Sequence, residues 1–316
     1  MSDLPVININ GLFHDRQVSS IDESVRHALA MAGGFVVTGF PGAGILEARA
    51  VRLLKFFDLP EGQKVDIGTG RTNPTSGHLY RGYTSLLDGD DFARTEWFDI
   101  GPGLPVAIPP VRGAHVLAEP NLWPETEPYA GWRMDMEAYY ADLRATAIAI
   151  MLSAGRVSGV NPDQLKDGFA DGNSTLRLLH YPAPEAADAM NDAPSLAAER
   201  HTDGSGISLL WQAGPGLQAE GVDGVWRDVP QLPGSISVHL GDVLEMMTSG
   251  SIRATPHRVI DHGGERWSIG FFLEPSPCAS MTGDDRIEDT YGWRLLERLH
   301  SYPSMKGLVP RPSMDQ

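Results

Sequence analysis

The strongest constraint on the fold is the texture of residues 174–275, where short β-branched and aromatic runs alternate with Gly, Pro and Asp turns. The runs read STLRLLHYP, GISLLWQ, GLQAE, VWRDV, SISVHL, IRATPHRVI and RWSIGFFLEP. Such side chains suit a pleated, half-buried surface, and each run is too short to make a stable helix. Spaced in this way they predict a β-barrel or jelly roll.

The flanks have a different period. LPVININ alternates like a strand, SIDESVRHALAMAGG reads as a capped helix ending at glycine, and GFVVTGF is an apolar strand followed by the helical AGILEARAVRLLKFFDLP. From Gly131 to Gly159 runs the longest helical pattern. Its Met136, Tyr140, Leu143, Ala147 and Ile150 fall on one face, as expected for a helix that supports a sheet. DDRIEDTYGWRLLERLH returns to helix and is expected to pack outside the sheet. No linker or repeat divides the chain. The expected fold class is therefore mixed α/β, of the α+β kind, with residues 1–316 forming one domain. Within it, residues 1–130 form a mixed N-terminal region, 131–172 the support helices, 173–275 the jelly-roll core and 276–316 a C-terminal helical segment.

Charge and cysteine usage exclude several function classes. With 41 acidic against 25 basic side chains the formal charge is −16, which repels phosphate backbones and anionic lipid, so neither nucleic acid nor a membrane is an expected partner. The single Cys278 excludes a disulfide framework or a thiolate zinc site and reads as a passive thiol. The opening MSDLPVININ has no basic segment followed by an apolar one, and no stretch approaches about 18 uninterrupted apolar residues. A cytoplasmic protein, monomeric by default, is the expectation.

Against this background the polar residues inside the β region stand out. His201 and Asp203 are two apart, so on an extended backbone they share a face. His257 lies in the middle of a later β-branched run. If the DHGG turn closed a hairpin, His257 would pair roughly opposite Ser268, with Arg266 on the same face. Unpaired polar groups are costly to bury, so the four need a shared reason to face an apolar interior. Two imidazoles and a carboxylate on one face of an octahedral ion leave three open positions, as in non-haem Fe(II) oxygenases. Zinc hydrolysis is the nearest competitor. The Arg266-x-Ser268 pair argues for iron, because it makes a fork for a carboxylate cosubstrate.

At these residues the chain resembles the isopenicillin N synthase-like family, most of whose members depend on Fe(II) and 2-oxoglutarate. The resemblance is carried by HTDGSGISLLWQ, GLQAEGVDGVWRDVPQLPGSISVHLGDVLEMMTSG, ATPHRVI and RWSIGFFLEP, in the family's order, closely over residues 174–275 and loosely over the rest. It implies a double-stranded β-helix core with His201, Asp203 and His257 as iron ligands. It also implies that Arg266 and Ser268 hold the distal carboxylate of 2-oxoglutarate, with Tyr181 a further donor. The implied reaction couples decarboxylation of 2-oxoglutarate to succinate and CO2, in the presence of O2, to hydroxylation, desaturation or ring closure of a small metabolite. One position departs. Many 2-oxoglutarate users carry Asn where this chain has Leu179, and the family also contains oxidases that use no 2-oxoglutarate.

Several side chains remain. Tyr80, Arg81, Tyr83, Trp97 and Trp211 are candidates to line the substrate pocket, with core packing the competing role for Trp97, Phe98 and Trp211. Arg81 and the aromatic residues suit an aromatic or carboxylate-bearing small molecule. His180, His239 and His262 are expected in structural or solvent-facing roles. The acidic DGDD cluster reads as a solvated turn, since no EF-hand spacing accompanies it. GAGILE lacks the third glycine of a dinucleotide fingerprint, and there is no Walker run or Gly-x-Ser-x-Gly elbow. A non-catalytic jelly-roll binding protein is the alternative from another class.

Overall fold

In chain order, the computed structural model, which describes residues 4–85, 95–183 and 196–314, begins with β1 (Val6–Asn8), α1 (Val18–Met31), β2 (Phe35–Thr38), α2 (Leu46–Leu53) and α3 (Glu61–Asp66). It continues through β3 (Gly82–Thr84), β4 (Glu96–Ile100), α4 (Trp132–Ser158), α5 (Pro162–Phe169) and β5 (Thr175–Tyr181). Then come β6 (Leu196–His201), β7 (Ile207–Ala213), β8 (Leu217–Glu220), β9 (Trp226–Asp228), β10 (Ile236–Leu240), α6 (Asp242–Met247), β11 (His257–Ile260), β12 (Arg266–Leu273) and α7 (Tyr291–Ser301). The DGDD turn at 88–91 lies outside the described residues.

Among the described residues, two sheets make the jelly roll. The larger has eight strands in the order β1-β2-β10-β7-β12-β5-β4-β3, and the smaller has four in the order β6-β11-β8-β9. β12 is central to the larger sheet, antiparallel to both β5 and β7. The N-terminal strands extend this same sheet, β2 pairing antiparallel with β10 and β1 parallel with β2.

The support helix forms where the period places it. α4 starts after Gly131 (φ +86) and stops at Gly159 (φ +72), two left-handed positions that a residue with a Cβ resists. Met136, Tyr140, Leu143, Ala147 and Ile150 are all buried, and Tyr140 packs edge-on against Phe271 of β12 at 5.2 Å. Burying such an apolar side chain stabilises the fold by about 1.5–3 kcal/mol relative to exposure. The opposite side of α4 is covered by α1, where Ser153 and Arg156 both bond Asp22.

Three expectations need correction. The first concerns the start of α1, which has no side-chain cap: Gln17, at φ +55, precedes it, and Ser20 Oγ donates to the Gln17 carbonyl instead. Second, the helical stretch after β2 breaks into α2, a 3-10 turn over Leu54–Asp58, and α3 after Pro60. Phe56 in that turn is buried, stacked on Phe98 at 4.4 Å. Third, β11 and β12 do not form a hairpin. β11 is paired on both edges by β6 and β8, and the chain crosses between sheets through the Asp261–Gly264 turn, with Gly263 at φ +74. His257 and Ser268 therefore belong to opposite sheets. Helix α7 lies outside both sheets, as expected, and turns Leu295 and Leu299 toward the cavity.

Candidate metal centre and cavity

His201 ends β6 and His257 begins β11, and the two are direct register partners. Asp203 follows in the loop to β7, which α6 and its preceding glycine hold by backbone bonds. Asp242 N donates to Asp203 O at 2.8 Å, and Gly241 N to Gly206 O at 2.9 Å. A Cβ on Gly241 would sit 2.0 Å from Ser205 O, so glycine is what lets the two segments touch.

Each imidazole has its tautomer set by a backbone carbonyl. His201 Nδ1 donates to Glu199 O at 2.7 Å and His257 Nδ1 to Thr255 O at 3.1 Å. Both Nε2 lone pairs then face the same carboxylate, His201 at 3.7 Å from Asp203 Oδ1 and His257 at 3.6 Å from Oδ2. One ligand atom from each residue lies within 4.8 Å of the others, and Asp203 Oδ2 is buried without a hydrogen-bond partner among the described residues. Three acceptors that face one another repel unless a cation or proton sits between them. Burial pushes the His257 imidazole below its ordinary pKa, which keeps it neutral and free to ligate.

His239, expected to be structural, is buried behind this cluster with its ring 4.6 Å from that of His257. Ser237 Oγ donates to Leu210 O and so accepts from His239 Nε2 at 3.1 Å, leaving Nδ1 buried and unpartnered. Burial holds its pKa well below the ordinary imidazole value. His180 lies on the other face of β5, its two nitrogens 2.7 and 2.8 Å from Glu96 and Glu265.

On the facing sheet, strand alternation lines up a second polar group. Arg266 and Ser268 of β12 are in register with Tyr181 and Leu179 of β5, and Ser268 with Gln212 of β7. Arg266 Nη2 donates to Gln212 Oε1 at 3.2 Å, and the guanidinium lies 5.0 Å over the Tyr181 ring. Its Nε and Nη1 are buried with no partner among the described residues. Gln212 escaped the sequence reading although its parity in GISLLWQ puts it on this face.

Both groups open into one cavity of about 730 Å³. Tyr80, Trp97 and Trp211 border it, but Arg81 and Tyr83 do not. Arg81 is buried and bonded to Thr175 Oγ1 at 2.6 Å and Asn173 O at 2.9 Å, and the Tyr83 hydroxyl is tied to Glu96. Both are structural, because strand alternation or a turn aims them away from the cavity. Trp97 is almost covered, with the guanidinium groups of Arg71 and Arg177 at 5.2 and 5.0 Å over its ring. Arg177 is itself bidentate to Asp99, at 2.8 and 2.7 Å. It shares the parity of Leu179 and Tyr181, a signal the sequence carried. Tyr80 OH donates to Glu274 at 3.1 Å, and burial raises the Glu274 carboxyl above its ordinary pKa.

Comparison with known proteins agrees with this geometry. Residues 172–275 match the profile of the 2OG-Fe(II) oxygenase superfamily. A 2-oxoglutarate-Fe(II) type oxidoreductase of Aspergillus fumigatus is 30% identical over 285 residues, covering 86% of this chain and 82% of that protein. The chain belongs to the 2OG-Fe(II) oxygenase superfamily. The oxygenase is also 26% identical to isopenicillin N synthase of Streptomyces clavuligerus, over 85% of this chain and 84% of that one. A Neurospora crassa protein, solved in complex with alpha-KG and thymine, shares the fold with a TM-score of 0.72 and 23% identity over 93% of this chain and 96% of that one. The oxygenase is thus an oxidoreductase of the Fe(II), 2-oxoglutarate and O2 type with a jelly-roll core. Its residues fit that chemistry: an acceptor-only cluster suits a cation, and a guanidinium with unpaired donors suits a carboxylate. Among the described residues no helix is long and apolar enough to cross a membrane.

Proposed function

We propose that His201, Asp203 and His257 hold Fe(II), that Arg266, Ser268 and Tyr181 hold 2-oxoglutarate, and that the protein oxidises a small aromatic or carboxylate-bearing molecule in the remaining cavity. The observation that carries the reading is the pair of Nε2 lone pairs aimed at a carboxylate with an unsatisfied buried oxygen. When bound, the iron and 2-oxoglutarate supply the oxidising chemistry, with succinate and CO2 as products.

The chain's own work is positioning. The Thr255 and Glu199 carbonyls hold the two imidazole tautomers, and His239 packs against the His257 ring. Arg266 meets the distal carboxylate with its two open donors, oriented by Gln212 and the Tyr181 ring. The apolar walls limit water around the target C–H bond. No side chain is needed as a general base.

Leu179 favours one second reading, a family oxidase that uses no 2-oxoglutarate, because its side chain, on β5 in register with Ser268, offers the cosubstrate no amide there. Anaerobic addition of Fe(II) and 2-oxoglutarate separates the two. The proposed function predicts the weak visible charge-transfer band of the chelate. Bound iron without that band would favour the oxidase, and failure to bind iron would defeat both.

A further inference from the structure

We infer that the molecule oxidised is an organic acid whose carboxylate is bound by Arg298, at the mouth of the cavity beside the metal centre. The inference rests on the proposed function and adds the substrate's chemical class. α7 turns Leu295 and Leu299 into the cavity, Tyr302 follows just beyond its end, and Arg298 stands on the same wall. Arg298 Nε donates to Tyr302 OH at 2.9 Å, which orients the plane of the guanidinium. On its other edge, Nη1 lies so close to Gly204 that a Cβ there would be 1.4 Å away. Gly204 is the residue after Asp203, so the guanidinium rests on the loop that carries the proposed metal ligand.

The other charges of the cavity bear on what Arg298 is for. The doubly charged cation and doubly charged cosubstrate cancel, as do Asp203 and Arg266; Glu199 and Glu274 also line the cavity, Glu274 hydrogen-bonded to the Tyr80 hydroxyl, and no hydrogen bond joins either to Arg298. Inside the cavity Arg177 is already matched by Asp99, so it offers a hydrogen bond without net charge. Arg71 is engaged as well and lies over Trp97. Arg298 has no carboxylate partner among the described residues, although the chain carries a net charge of −16 and acids are abundant. Exposed at the cavity wall and with no carboxylate in bonding contact among the described residues, the guanidinium is open to an incoming anion, and a planar fork of donors matches a carboxylate. Leu295 and Leu299 on the same helix, with Phe272 elsewhere in the lining, suit an apolar body on that acid.

The test uses the full chain loaded anaerobically with Fe(II) and 2-oxoglutarate, so that binding is read without turnover. The probes are phenylacetate, 3-phenylpropanoate and octanoate, each against its primary amide, with affinity measured by calorimetry. The acids should bind about tenfold or more tighter than their amides, the value of a charge-assisted hydrogen bond. That preference should vanish in Arg298→Gln and partly return in Arg298→Lys. It should persist in Arg286→Gln, which removes an exposed arginine paired with Asp284. Equal binding of acids and amides by the wild type, no binding of any acid, or a preference that survives Arg298→Gln would overturn the inference. So would an Arg298→Gln variant that loses 2-oxoglutarate loading but keeps the acid preference, since the guanidinium would then serve the cosubstrate. The visible band of the loaded protein is recorded first. Its absence defeats the 2-oxoglutarate assignment separately from the acid–amide comparison.

Discussion

Replacing Arg266 with Met should raise the stability of the ligand-free protein while abolishing its response to 2-oxoglutarate. In the folded chain Nε and Nη1 of Arg266 are buried without partners. Each stranded donor costs about 1–3 kcal/mol, so removing both returns about 2–6 kcal/mol. Against this stand the cation–π contact over Tyr181, about 1–2 kcal/mol, and the Gln212 oxygen left unpaired, about 1–3 kcal/mol. At mid-range the balance is a gain of about 0.5 kcal/mol, or a rise of about 1 °C in melting temperature for a chain of this size. The wild type, by contrast, gains about 2.7 kcal/mol from 2-oxoglutarate at a hundredfold excess over its Kd. Anaerobic thermal melts of both proteins with Fe(II), with and without 2-oxoglutarate, should therefore cross. The variant melts higher without the cosubstrate and the wild type higher with it. A variant that loses more than about 1 kcal/mol without ligand would show that the open donors carry no cost, and the reasoning from them would fail.

Three further outcomes can be checked. His257→Ala should abolish iron-dependent turnover yet leave the far-ultraviolet circular dichroism of a folded protein, and retained full activity would contradict its assignment. Gly241→Ala forces a Cβ to 2.0 Å from Ser205 O and 2.9 Å from Asp203 O, so it should cost about 1–3 kcal/mol in unfolding and weaken iron binding too. Unchanged values of both would show that the loop has slack. For His180, burial opposes the charged form, but its bonds to Glu96 and Glu265 prevail and raise the pKa above the ordinary 6.5. Its stabilisation is then fully present below pH 6.5 and is lost as pH rises through the raised folded value. The stability gap between wild type and His180→Gln should accordingly narrow toward alkaline pH, and a gap that widens would reverse the sign.

The jelly-roll strands and the supporting helix were legible because both depend on local periodicity. STLRLLHYP, GISLLWQ and RWSIGFFLEP became β5, β7 and β12, and the stripe from Met136 to Ile150 became the buried face of α4. Parity along one strand also places Arg266 and Ser268 on a common face before any partner strand is known. Strand β6 was missed because LAAERH, rich in Ala and charge, has no β-branched residue and pairs with β11 through an irregular register.

What local pattern could not supply was the identity of neighbours. DHGG reads equally well as a hairpin turn or as a crossing between sheets, and hydrogen bonding by β6 and β8 on either edge of β11 decided for the crossing. The same limit applies to Arg81, whose residue type invites a substrate role until Thr175 and Asn173 are seen to saturate it. It applies also to Arg298, on a helix whose amphipathic pattern says that one face is buried but not against what. Chain order alone determined which residue types are present and on which face of their own element they fall, because backbone geometry sets those periods. Only the packing of distant segments decided which faces meet, since that depends on contacts between residues far apart in the chain.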